Sequence, residues 1–311
     1  MASRADDDLD APRARTGPNP QHLLATLLGE YLDSADAPLP PAALDAVLAE
    51  FGFSAASARA ALNRLARRGL VEARGRGRAT VYHLTSASLA RQTTMHRFLA
   101  YGTRAAAPDD RWTAVSYSLP ESRHAERHAV RKVLSSAGFA RLYDSVWISP
   151  DGVREEVVGS LRDVLGGVGA ARWSVMRVRF EDVAGTHGPA TAYDLAGIAR
   201  EFRAFLDAHV PLLHDVRAGA VDDARALVAR TSLMDVWRAL VLRHPDLPAD
   251  VVPADWPVPA ARDLLVEVHA ALGPAARRRL VEVTAASWPD ADRWVTYFVA
   301  DDDPAKPPRR G

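Results

Sequence analysis

Seven side chains lie within a short stretch of this chain and are of the types that read or grip a polyanion: Ser57, Arg59, Asn63, Arg64, Arg67, Arg76 and Arg78. A guanidinium fork can donate bidentately to guanine or to a phosphate, an asparagine amide can pair with adenine, and a serine hydroxyl can bond either phosphate or base. Their surroundings reinforce that chemistry. From Arg59 to Arg104 the segment also holds Arg68, Arg74, Arg91 and Arg97, and its sole acid is Glu72. Over the whole chain the 39 basic and 39 acidic residues cancel, which argues against nonspecific coating of nucleic acid and makes the local excess the informative quantity.

Other groups with chemical potential are weaker. His124 and His128 stand at i and i+4 in HAERH, one helix face apart as a two-point zinc or nickel site requires. Glu126 occupies the wrong position for HExxH, so the pair is an adventitious metal candidate at most, and a solvated face is the plainer reading. GGVGA follows a helical stretch and precedes a strand, the wrong context for a dinucleotide fingerprint. There is no GxSxG elbow and no Walker lysine. Zero cysteine removes disulfide, thiolate-metal and cysteine-nucleophile chemistry. No catalytic residue, no resident metal and no cofactor are expected.

The elements that must position the seven donors follow from periodicity. Residues 1–20 show no apolar period and read as a disordered lead. Leu24, Leu27, Leu28 and Tyr31 mark a first helix, and Leu44, Val47, Leu48 and Phe51 a second that opens at Pro41. Ser54 caps a third helix with Ala58, Ala61, Leu62 and Leu65 on one side and Asn63 and Arg67 opposite, stopped by Gly69. LVEAR and ATVYHLT around GRGR then form a hairpin with Arg76 and Arg78 at its tip. Three helices and a hairpin predict a winged helix-turn-helix over residues 21–88.

A linking helix is expected at 89–108, then a ferredoxin-like split βαβ domain at 109–188, a dimerisation candidate. A helical domain, a candidate for dimerisation or effector binding, follows at 189–300, with a disordered tail at 301–311. The fold class is therefore α+β multidomain. GFARLYDSVWISP reads as a turn and one strand, and the C-terminal helices as four segments, with a break between HAALG and PAARRR. No apolar run approaches membrane length and no signal peptide is visible, so a cytoplasmic, membrane-free protein is expected.

GFSAASARAALNRLARRGLVEARGRGRATVYHLT resembles the N-terminal domain of the PaaX family of bacterial transcriptional repressors. DDRWTAVSYSLPE, GFARLYDSVWISP and HPDLPADVVPADWP extend the resemblance from His22 to Val299; the last runs on as Asp255-Trp256-Pro257-Val258 where the family has a DWPG-like motif. The resemblance implies a homodimeric repressor of a catabolic operon, bound to double-stranded operator DNA and released by a small-molecule effector such as an acyl-CoA thioester. It aligns Arg59 and Arg64 with basic positions of the family's reading helix. Trp237, Arg238, Arg243 and Trp256 suit a phosphate-bearing aromatic effector, although tryptophan in DVWRALV and DWP is more often a core or packing anchor. Two other functions compete. One is a metal-dependent nuclease built on the ferredoxin-like domain, whose first strand nevertheless ends Tyr117-Ser118-Leu119-Pro120 without an acid. The other is a scaffold that binds no DNA.

Overall fold

The Asn19 carboxamide accepts the Gln21 amide hydrogen at 3.0 Å, and with Pro20 in the first turn it starts α1, Pro20–Tyr31. This is the beginning of a computed structural model that describes residues 19–75, 80–92, 95–103, 111–181, 188–299 and 309–310. The chain divides into two units, one of residues 1–100, 205–239 and 260–311 and one of 101–204 and 240–259.

In the first unit α2, Pro41–Ala49, and α3, Ala55–Arg67, follow α1. Leucines 24, 27 and 28 of α1 and Leu44, Val47 and Leu48 of α2 are buried. Both α2 and α3 end the same way. The amide of Phe53 bonds the Leu48 carbonyl at 3.1 Å and that of Leu70 bonds Leu65 at 3.0 Å. Each closure needs a left-handed residue, supplied by Gly52 at φ 79° and Gly69 at φ 65°.

Strands β1, Val71–Arg74, and β2, Val81–Leu84, pair antiparallel with Val71 opposite Leu84. Leu39 exchanges backbone bonds of 2.8 and 3.0 Å with Tyr82, fastening the hairpin to the α1–α2 connection. In and just before the stretch expected to hold the linking helix lie α4, Ser86–Gln92, and α5, Met95–Ala100.

The second unit holds β3, Arg111–Ser118; α6, His124–Ser136; β4, Ala140–Tyr143; β5, Val146–Ser149; α7, Glu155–Gly166; and β6, Arg172–Arg179. The sheet is wholly antiparallel in the order β4-β5-β3-β6. GFARLYDSVWISP thus makes two strands rather than the expected one, because the polar pair Asp144-Ser145 turns the chain between ARLY and VWIS.

Val115 and Tyr117 of β3 pack with Val130, Leu134, Leu161 and Leu165 of α6 and α7, which cover one face of the sheet. Trp112, Ala114 and Ile148 alternate to the other face and are buried as well. There the Trp112 ring lies 6.2 Å from both Phe180 and Tyr193, and the Tyr193 hydroxyl donates to the Ile148 carbonyl at 3.3 Å.

Three long helices follow: α8, Leu195–Arg217; α9, Asp223–Arg243; and α10, Val258–Thr284, before the short α11, Ala291–Trp294. The expected break at Gly273-Pro274 does not occur. Pro274 forgoes one backbone bond, which burial of Val268, Leu272, Ala276 and Leu280 on the same helix offsets. Gly273 is needed for closeness rather than for a turn: a Cβ there would stand 2.4 Å from the Tyr297 ring. In the stretch expected to be an unstructured tail, Arg309–Arg310 forms β8 against β7, Phe298–Val299.

Candidate nucleic-acid interface

The geometry of α3 is set by its own sequence. The Ser54 hydroxyl accepts the Ser57 amide hydrogen at 3.2 Å, and Arg64 and Arg67 sit in the last turn, where the helix dipole favours cations. Ala58, Ala61, Leu62 and Leu65 are all 3% exposed or less and face α1 and α2. With about 100° between successive residues, burying those four turns Asn63 and Arg67 into solvent, with Arg59 and Arg64 on the flanks. All four are exposed.

Two of the expected donors are partly engaged elsewhere. Ser57 is half-buried and its hydroxyl lies 3.1 Å from that of Ser54, so it belongs to the cap more than to the outer face. Arg59 reaches Asp45 of α2 at 3.4 Å across an exposed surface, an ion pair weak enough to exchange for a phosphate. Arg76 and Arg78 lie outside the described residues. Next to them Arg74 is held by Glu72 through contacts of 2.6 and 3.0 Å.

The effector candidates are separated by environment. Trp237 is fully buried and its indole donates to the Phe98 carbonyl at 2.7 Å, and Arg238 donates to Thr26 Oγ1 at 2.5 Å with its guanidinium 5.5 Å over the Phe98 ring. These two side chains, in the first unit, are occupied in holding the protein together. In the second unit Arg243 is exposed and paired with Glu201, and Trp256 is half-buried. His124 and His128 are exposed on α6. Among the described residues no group of three or more His, Asp or Glu could hold a metal ion, and no helix is long and apolar enough to cross a membrane.

A buried cluster of charged and polar side chains is not among the sequence candidates. Glu30 of α1, Arg230 of α9 and His269 of α10 are each 1% exposed or less. Glu30 Oε2 stands 2.6 Å from Arg230 Nη1 and 2.6 Å from His269 Nε2. Arg230 also donates to the carbonyls of His269 at 3.0 Å and Phe298 at 2.7 Å.

Burial alone would raise the Glu30 carboxyl, but the neighbouring His269 and Arg230 outweigh it and hold the group at about 2. Burial and then Arg230 push the His269 imidazole below its ordinary value, against the pull of Glu30. The sequence does carry a signal for these three. Each interrupts an apolar stripe, as Arg230 does between Ala226, Leu227, Leu233, Met234 and Trp237, all fully buried.

Comparison with known proteins covers the same segments. A PaaX-like protein model matches residues 19–88, the PaaX protein central Cas2-like domain matches 105–169, and the PaaX-like protein C-terminal domain matches 193–282. Transcriptional repressor PaaX of Escherichia coli (strain K12) is 27% identical over 265 residues, which are 81% of this chain and 80% of that protein. The solved structure of an uncharacterised protein from Mycobacterium tuberculosis shares the fold, with a TM-score of 0.53 at 23% identity over 86% of this chain and 98% of that one. With three models of one family matched in order along the sequence, the chain belongs to the PaaX family of transcriptional regulators.

Proposed function

We propose that this regulator is a DNA-binding repressor whose residues 21–88 act as a winged helix-turn-helix, with α3 in the major groove. The observation that carries the reading is the division of α3: four apolar side chains seal one side while Asn63, Arg64 and Arg67 stand exposed on the other. A helix of that width enters the major groove, where those donors meet base edges and phosphates. Arg59 then supplies phosphate contact, and Ser57 a backbone-positioning bond near the helix start. Arg76 and Arg78 at the hairpin tip reach the neighbouring backbone. That a curated relative is named a transcriptional repressor supports the same sign of regulation.

The order β4-β5-β3-β6, with the third strand of the four between the first and second, supports a ferredoxin-like reading of the central domain. Two copies joined into a homodimer would double the bases read, because a lone reading helix spans too few for specificity. Release of the operator by a small metabolite such as an acyl-CoA thioester completes the reading. Arg243 and Trp256 are the two candidate contacts open to a ligand.

The test is selection of duplexes from a random-sequence pool by the full-length chain, followed by affinity measurements across a salt series. A sequence-selective complex whose affinity falls with a logarithmic slope of roughly 0.9 per phosphate contacted is expected. Absence of any enriched duplex overturns the reading. Arg76→Ala with Arg78→Ala should lower the slope and leave the preferred sequence unchanged; an unchanged slope takes the hairpin tip off the DNA.

A further inference from the structure

We propose that two ion-paired ties, buried Glu30–Arg230–His269 and half-buried Glu50–Arg279, are positioning contacts that set how α3 is presented to DNA. The inference rests on the DNA-binding reading above.

Helix α3 packs chiefly against α1 and α2, and against β1 where the chain leaves it. Its orientation therefore follows that of α1 and α2, the two helices it rests on. Those two helices are in turn anchored by charge. On α1, Glu30 meets Arg230 of α9 and His269 of α10, and Thr26 one turn earlier donates to Asp235 of α9 at 2.9 Å. At the end of α2, Glu50 receives both Arg279 Nε at 2.8 Å and Nη2 at 3.0 Å.

The bonding pattern selects one protonation state. His269 Nδ1 lies 3.4 Å from Arg230 Nη2, which can only donate, so Nδ1 accepts and Nε2 carries the hydrogen given to Glu30. One carboxylate, one guanidinium and a neutral imidazole then fix three helices in a single register.

Stability is a poor explanation for such a cluster. Removing two charges from water costs several kcal/mol per ion, and apolar side chains of similar size do as well or better. Here the compensation is incomplete, because Glu30 Oε1 is buried with no hydrogen-bond partner among the described residues. What an ion-paired cluster supplies that an apolar one does not is a unique geometry. In a two-fold complex, a change in the seating of α1 and α2 alters the spacing and tilt of the two reading helices.

The experiment uses the full-length chain, the duplex it enriches from a random pool, and a scrambled duplex of equal length. Glu30→Met combined with Arg230→Met removes both charges without leaving either unpaired. Because the His269 and Phe298 carbonyls and the His269 Nε2 hydrogen lose these partners, it should melt somewhat below the wild type yet fold, while the ratio of affinities for the two duplexes falls roughly tenfold. A folded double variant with an unchanged ratio overturns a positioning role for the buried tie.

The outer tie decides the question if that variant does not fold. Glu50→Arg places two cations together and should lower the ratio even though it adds positive charge. Glu50→Arg with Arg279→Glu should restore it. An unchanged ratio in the single variant, or no recovery in the swap, overturns the inference. Failure of the wild type to enrich any duplex would instead bring down the DNA-binding reading and this inference with it.

Discussion

Arginine appears in two opposite settings in the first unit. On α3, Arg64 and Arg67 stand in solvent on a helix whose apolar side is uninterrupted. On α9, Arg230 sits in the middle of the apolar stripe and is fully buried against Glu30. The first arrangement leaves charge available to an outside partner at little cost to folding. The second consumes charge inside the protein, where leaving it unpaired would be prohibitive. The contrast separates charge that is open to a partner from charge that is spent inside the fold.

The sharpest way to break that contrast is to remove the buried member. Arg230→Ala strands Glu30 without its cation and should destabilise the chain by roughly 3–5 kcal/mol in urea unfolding. Arg64→Ala should change stability by less than about 0.5 kcal/mol. A comparable loss in both variants would erase the distinction.

Acid probes the same site without mutation. The unfolded chain protonates Glu30 near its ordinary value of 4.5, whereas the folded protein keeps the carboxylate down to about 2, so stability is lost as pH falls through that interval. His269 acts in the same direction and earlier. Its folded value is lowered, so below about pH 6.5 the unfolded chain takes up a proton that the native state resists. Melting temperature should therefore fall from pH 6.5 downward, and Glu30→Gln should flatten the acid end of that curve. A melting temperature independent of pH between 6.5 and 3 would contradict both assignments.

In DNA binding the ranking reverses. Arg64→Ala should weaken the selected complex by roughly 1–3 kcal/mol and relax preference at one base position. Equal weakening on all duplexes would make Arg64 a phosphate contact. The smallest effect is expected at the helix start, where Ser54→Ala removes the cap on α3 and should cost about 1 kcal/mol of stability with the preferred sequence unchanged.

How much of this was legible beforehand varies by element. Ser54, the Ala58–Leu65 stripe and Gly69 delimit α3 from sequence alone, because cap, period and left-handed stop are all local and agree. The Asp144-Ser145 turn is local too, yet a continuous apolar reading of LYDSVWI hides it until β4 and β5 are seen paired. Gly273-Pro274 misleads in the other direction. Its local preference is to end a helix, and packing over the rest of α10 overrides it. Trp237 reads more readily as core than as ligand platform, and its full burial and its bond to the Phe98 carbonyl assign it to the core.

What the amino-acid order determined by itself is α3 and its outward donors, since amphipathic periodicity and capping depend on residues within one or two turns of each other. What only the tertiary structure decided is the buried ion-paired cluster. Glu30, Arg230 and His269 lie 200 and 39 positions apart along the chain, and a charge on an apolar stripe acquires its meaning from the partner that folding brings to 2.6 Å.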